Sequence, residues 1–142
     1  MIFGRILATT DGTEASLRGV EVAAQMVGRD DSEFVVLTAV SVPQQVVLSA
    51  TMDRRTIEGY VERMAQEALV PAVELLRRLG VGAEVKAVAG SAPEVIFAEI
   101  ESTRADLVVI GRGGRYEPKD LILGSVSYRV ARHASVPVLL VP

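Results

Sequence analysis

Four glycines and a serine near the end of the chain have the types and spacing to hold an anion. They are Gly111, Gly113 and Gly114, separated by Arg112, then nine residues, then Gly124-Ser125. The run ADLVVI, Ala105 to Ile110, reads as a buried strand that delivers the chain into Gly111, and Gly124-Ser125 opens a segment of helical character. A strand, a glycine loop and a helix start are the parts of a phosphate cradle. Backbone N–H groups converge where no Cβ intrudes, and the first helical turn adds unpaired donors and a partial positive charge. The spacing G-x-x-G-x9-G-[ST] contains neither GK[ST] nor GxGxxG, so it is not a Walker A loop or a dinucleotide fingerprint.

The elements that must position this loop alternate along the chain. Gly4 to Thr9 reads as a first strand, followed by a helix from Thr13 to Val27 with Leu17, Val20, Ala24 and Val27 on one face. Phe34 to Val40 is a second strand. Pro43 to Arg54 has no periodicity and reads as a surface loop. A long helix carries Ile57, Val61, Met64, Ala68, Ala72, Leu75 and Leu79 on one side, with Pro71 expected to kink or break it and Gly80 to end it. Ala83 to Val88 is a third strand. Ser91-Ala92-Pro93-Glu94 has capping-box spacing and starts a helix that ends near Thr103. Leu107 to Ile110, Ser125 to His133 and Val136 to Val141 complete the chain as strand, helix and strand.

Apolar strands separated by helices imply an α/β protein: a five-stranded parallel sheet with helices on both faces, doubly wound, in one domain spanning residues 1–142. In such sheets a ligand lies beyond the C-terminal strand ends, where the strand order reverses. Asp11, the end of the second strand and the Gly111 loop all fall at strand C-termini.

Taken together, RILATTDGTEAS, GSAPEVIFAEIESTRADLVVIGRGG and LILGSVSYRVARHASVPVLLVP resemble, in order and spacing, the universal stress protein family and its ATP-binding signature. Only Ser41 to Leu79 matches weakly. The resemblance implies strand order 3-2-1-4-5 with the switch between strands one and four. It implies ATP as ligand, with any accompanying Mg²⁺ held mainly by the phosphates. It places Thr9, Thr10 and Asp11 near the base and ribose, Ala39 with its backbone at the adenine edge, and Gly111, Arg112, Gly113, Gly114, Gly124, Ser125, Val126 and Ser127 around the phosphates. It also implies a homodimer through the last strand, Val138–Val141, whose apolar edge otherwise needs a cover.

Each of these residues has a plainer reading beside the functional one. The glycines can simply turn the chain. Ser125 and Ser127 can be a cap and a solvated helix surface. Asp11 can be the N-cap of the segment that begins at Thr13. Arg112 stands where relatives often carry a small hydroxyl residue. It can grip a phosphate bidentately or project into solvent. Arg115 and Lys119 can screen a triphosphate or belong to a solvated loop.

Composition removes other classes. With no cysteine there is no thiol chemistry, and the sole histidine, His133, falls in the last turn of a helix, where it is a poor candidate for a catalytic base. The balance of 18 Asp and Glu against 15 Lys and Arg leaves no basic stripe, and three Phe, three Tyr and no Trp offer little for base stacking, so nucleic acid is not expected. No apolar run approaches the ~20 residues of a membrane span, and the N-terminus lacks the sustained apolar stretch of a leader, which points to the cytoplasm. TTDGTEAS faintly echoes the phosphate loop of flavodoxins, but flavin-sandwiching aromatics are nearly absent. A receiver domain lacks its acceptor aspartate in Val88-Ala89-Gly90, and ATP ligases of related fold carry a Ser-Gly-Gly loop that TTDGTEAS is not. The reading is a nucleotide-dependent regulatory or stress-response protein that turns ATP over slowly or not at all. The alternative is an interaction module of the same fold that does not use nucleotide, for which Arg112 speaks.

Overall fold

The computed structural model describes residues 3–27, 32–49, 53–112 and 124–142. Five strands and five helices follow in the order β1 (Arg5–Thr9), α1 (Glu14–Met26), β2 (Glu33–Val40), α2 (Gln44–Ser49), α3 (Arg54–Leu79), β3 (Glu84–Ala89), α4 (Ala92–Thr103), β4 (Leu107–Gly111), α5 (Ser125–His133) and β5 (Val138–Val141). The strands form one sheet in the order β3-β2-β1-β4-β5, with every pair parallel. This is the expected doubly wound α/β arrangement.

Alternation along the strands sorts the core into two layers. Ile6 and Ala8 of β1, Phe34 and Val36 of β2, and Leu107 and Val109 of β4 face α1 and α3, where they meet Val20, Ala23, Ala72 and Leu76. Their sequence neighbours Leu7, Val35, Leu37, Val108 and Ile110 face the other way, against Val95, Ile96 and Ile100 of α4 and Val130 of α5. The central strands are buried on both faces, as continuous Val/Ile/Leu runs require. β3 is different: it is a largely exposed edge.

Two sequence expectations are corrected in the middle of the chain. The stretch 43–54, read as loop, contains α2, a six-residue helix too short to show a period. α3 begins at Arg54, at the end of that stretch, because Asp53 caps it: the Asp53 carboxylate accepts from the Arg55 N–H at 3.1 Å and from the Thr56 hydroxyl at 2.8 Å. Nor does Pro71 break the helix, which runs unbroken from 54 to 79. Proline costs the Glu67 carbonyl its usual donor, but Ala72 and Leu76 on the next turns are buried in the core and hold the helix together. Gly80 ends it in the left-handed region (φ 68°), donating to Leu76 and Arg77 carbonyls.

Candidate functional site

The switch in strand order falls between β1 and β4, and a crevice of about 220 Å³ opens there beyond their C-terminal ends. One wall is the β1–α1 junction. The Thr10 N–H donates to the Leu37 carbonyl of β2 at 2.9 Å, which keeps the chain on the sheet for one residue past β1. Thr10 itself is buried, and its hydroxyl belongs to a chain of hydrogen bonds. The Gly12 N–H donates to Thr10 Oγ1 (3.0 Å), Thr10 Oγ1 and Ser16 Oγ are hydrogen-bonded to each other (2.8 Å), and Ser16 Oγ lies 2.9 Å from the Thr13 carbonyl.

Asp11 does not cap α1. Thr13 is the N-cap, its hydroxyl accepting from the Ser16 N–H, and Asp11 instead braces Thr13. Asp11 Oδ1 accepts from the Thr13 N–H at 3.0 Å and from the Thr13 hydroxyl at 2.5 Å. A carboxylate two residues ahead of the cap forms this local turn more readily than it reaches the helix amides. Partial burial pushes the Asp11 carboxyl up, but the hydrogen bonds from Thr13, with further help from Ser16 and the backbone, outweigh it and hold the group below its ordinary value. Asp11 is thus an anion at neutral pH. Gly12 follows at φ +86°, and a Cβ there would meet Ala68 Cα of α3 at 3.1 Å, so α3 leans on this loop through a glycine.

The opposite wall is the end of β4 and the start of α5. Gly111 is buried, and a Cβ on it would lie 2.3 Å from the Ala15 carbonyl oxygen. Its missing side chain therefore lets α1 lie directly on the end of β4, a reason beyond the turn or cradle that the sequence suggests. Arg112, half-buried, donates its N–H to the Val141 carbonyl of β5 (2.7 Å) and accepts from the Gly124 N–H (3.2 Å). Gly113 and Gly114, with Arg115 and Lys119, lie outside the described residues. Gly124 is the N-cap of α5, and no side chain caps this end of the helix among the described residues. Ser125 is exposed and Val126 half-buried. Ser127 is not a solvated surface residue: it is buried, and its hydroxyl donates to the Gly111 carbonyl at 3.0 Å.

Of the residues singled out in the sequence, Thr9, Thr10, Asp11, Ala39, Gly111, Val126 and Ser127 line the crevice together. Arg112, Gly124 and Ser125 stand beside it in the chain without lining it. Ser16, Leu37, Ala92, Ile96 and Ile110 line it too and were not foreseen. Leu37 was findable once Thr9 was chosen, since the two are register partners in the β1–β2 pair. Ala92, in the first turn of α4, has no signal in its own side chain. α4 begins at Ser91, but the capping box is not formed as expected. The Ser91 hydroxyl bonds the Glu94 carboxylate, and Glu94 also takes Arg129 of α5 at 2.6 Å. The Ser91 hydroxyl first, and Arg129 with it, holds the Glu94 carboxyl below its ordinary value. This bridge joins the two helices that flank the crevice.

A wider concavity of about 640 Å³ lies at the other end of the sheet, around Arg5, Glu33, Glu84 and Arg104. It is open to solvent and floored by the α4 C-terminus, and Arg5 and Glu33 already pair across it at 3.1 Å. The smaller crevice is the better site, since it sits at the strand switch with helix N-termini turned toward it. Among the described residues no group of three or more His, Asp or Glu could hold a metal ion, and no helix is long and apolar enough to cross a membrane.

The fold and crevice define a doubly wound α/β protein with a candidate ligand crevice at the topological switch point. The sequence model of the universal stress protein family matches residues 3–142, and the chain belongs to that family. A universal stress protein of Methanocaldococcus jannaschii is 29% identical over 140 residues, covering 99% of this chain and 82% of that one. Among solved structures, a universal stress protein in complex with cAMP superposes with a TM-score of 0.77 at 24% identity, covering 100% of this chain and 99% of that one. The universal stress protein of Archaeoglobus fulgidus in complex with dAMP does so at 0.68 and 22%, over the whole of both chains.

Proposed function

We propose that the crevice binds an adenine nucleotide, ATP accompanied by Mg²⁺, and that the protein is a cytoplasmic regulatory module of the stress response whose nucleotide state a partner senses. The observation that carries this reading is the start of α5. Gly124 has φ −59°, and a Cβ there would make only ordinary contacts, 3.7 Å from the Arg112 carbonyl oxygen and 4.0 Å from Ser127 Oγ, so among the described residues neither backbone conformation nor packing demands a glycine there. Its absent side chain leaves the first amides of α5 uncovered at the crevice edge, where a phosphate would take the place of a capping side chain. Two related proteins bound to adenine nucleotides, cAMP and dAMP, support the choice of base.

In this reading Leu37 and Ala39 flank the adenine, Asp11 takes ribose or base donors on Oδ2, and Thr9 and Thr10 close that side. The crevice volume of 220 Å³ is below the roughly 300–1,000 Å³ of sites that enclose a whole ligand of this size. Base and sugar therefore occupy it, and the phosphates extend over Gly124, Ser125 and Val126, with Arg112, Gly113 and Gly114 on the other side. Ser127 serves as wall and tie. Mg²⁺ is held by phosphate oxygens. No side chain among the described residues is placed to activate water, so hydrolysis is slow at most. Two copies pair through β5, whose Val138, Leu139 and Leu140 are only partly covered.

The test is to denature freshly purified protein and chromatograph the supernatant for adenine nucleotides, then to titrate nucleotide-free protein with Mg-ATP by calorimetry. Co-purified ATP or saturable binding is the expected result. No binding at millimolar ATP would overturn the reading and favour an interaction module without nucleotide.

A further inference from the structure

The two edges of the sheet are chemically unlike. β5 presents Val138, Leu139, Leu140 and Val141, with no charge. β3 carries Glu84 and Lys86 on the face that looks toward α4. The register fixes this: Lys86 pairs with Leu37, which packs against α4, whereas Val85 pairs with Val36 on the α3 face. From this inward position Lys86 Nζ reaches Glu99 of α4 at 3.0 Å and Glu84 at 3.7 Å. The Glu99 side chain is only 7% exposed, and the Ser102 hydroxyl also donates to it, at 3.3 Å. Lys86 keeps 33% of its side chain in water, on the open side of the edge.

We propose that the Glu84–Lys86–Glu99 cluster closes the β3 edge to strand addition by a second copy of this chain, so that copies can join only through β5. A strand laid beside β3 would put its own side chains over the exposed part of Lys86 and dehydrate three charges that sum to −1. Dehydrating an imperfectly compensated cluster opposes the gain from new backbone hydrogen bonds, and inward charge on an edge strand is a known means of blocking such pairing. The consequence is for the kind of assembly. A sheet with two open edges can add β5 of one copy to β3 of the next, a head-to-tail contact that closes into a ring or runs on as a filament. With β3 shut, only β5 against β5 remains, which is self-complementary and stops at two. The statement about β5 rests on the dimer proposed above; the closure of β3 does not.

The test is sedimentation of the wild type and of Lys86→Val/Glu99→Leu, which replaces both main partners by apolar groups, over about a hundredfold range of concentration. Far-UV circular dichroism and a cooperative melt check that the variant is folded. The expected result is a wild type of at most two copies and a variant whose mass rises with concentration to at least about twice that of the wild type, as a further contact at β3 would give. A folded variant with the wild-type mass at every concentration would overturn the proposal. Hydrogen exchange on the wild type decides the matter even if the variant fails to fold. Outward-facing β3 amides should exchange at rates independent of concentration, and slowing there as the protein is concentrated would show that copies pair at β3 after all. A wild type that stays monomeric would remove the β5 dimer and leave β3 closure to be judged by the same two readings.

Discussion

The Cβ that Gly111 lacks would sit 2.3 Å from the carbonyl oxygen of Ala15, in the first turn of α1. Gly19, one turn further along α1, meets the same strand end: a Cβ there would lie 2.9 Å from the Gly111 N. Helix α1 thus rests on β4 backbone to backbone, and this contact sets the width of the crevice. Gly111→Ala is expected to destabilise the fold by about 1–3 kcal/mol or more, the cost of overpacking where backbone must move. Urea denaturation checks it as a lower midpoint with little change in slope. A wild-type midpoint would mean that α1 shifts freely and that the glycine serves another purpose.

Gly124→Asp separates stability from binding. The aspartate side chain has room: among the described residues the nearest non-adjacent atom to the Cβ position is the Arg112 carbonyl oxygen at 3.7 Å. It would cap α5 and complement the helix dipole, for a gain of a few tenths to about 1 kcal/mol. The same carboxylate would occupy and repel the proposed phosphate position. The expected outcome is a slightly higher melting temperature with loss of Mg-ATP binding by calorimetry. Undiminished binding would place the phosphates elsewhere.

Asp11 ties part of the stability to pH. Its folded carboxyl titrates below the ordinary value because Thr13 donates to it twice, which outweighs its partial burial. The native state therefore binds this proton less readily than the unfolded chain does. The stabilisation is complete above the unfolded value of about 3.9 and disappears as pH falls through the lower folded value. Asp11→Asn should be less stable than the wild type at neutral pH, with the difference shrinking below about pH 4. Urea midpoints for both proteins across that range measure it, and a constant difference down to strong acid would contradict the assignment.

Lys86→Ala leaves Glu99 charged, buried and without its cation. Destabilisation is expected, smaller than for a wholly buried pair because 33% of the Lys86 side chain is in water. Replacing both partners, as in Lys86→Val/Glu99→Leu, should recover most of that loss. Chemical denaturation of the two variants distinguishes a true pair from two independent contributions, since independent effects would add.

The fold was largely legible because its signals are local. Val/Ile/Leu runs buried on both faces, punctuated by caps and glycines, leave few arrangements other than a parallel sheet with helices on each side, and Gly80 and the Thr13–Ser16 stretch mark helix ends through their own chemistry. What was missed lacked a local signal. α2 is too short for a period, and the unbroken α3 depends on Ala72 and Leu76 being buried by partners distant in the chain. The site was legible as a set of neighbourhoods: Asp11, Ala39, Gly111 and Val126 each fall at a strand end or helix start, and the parallel topology gathers such positions at one edge.

The roles within the crevice were decided by contacts between segments far apart in sequence. Gly111 is shaped by Ala15, Ser127 is turned inward by the Gly111 carbonyl, and Lys86 is held by Glu99 across the gap between strand and helix. Asp11 yielded the cap to Thr13 because distance and direction, rather than residue type, select which oxygen meets an amide. The sequence by itself determined the element order, the class of sheet and which segments meet at the candidate crevice, since hydrophobic period and turn chemistry act over a few residues. Only the tertiary structure decided which glycine makes room for a helix and which leaves an amide bare, because that depends on what another part of the chain brings within a few ångströms.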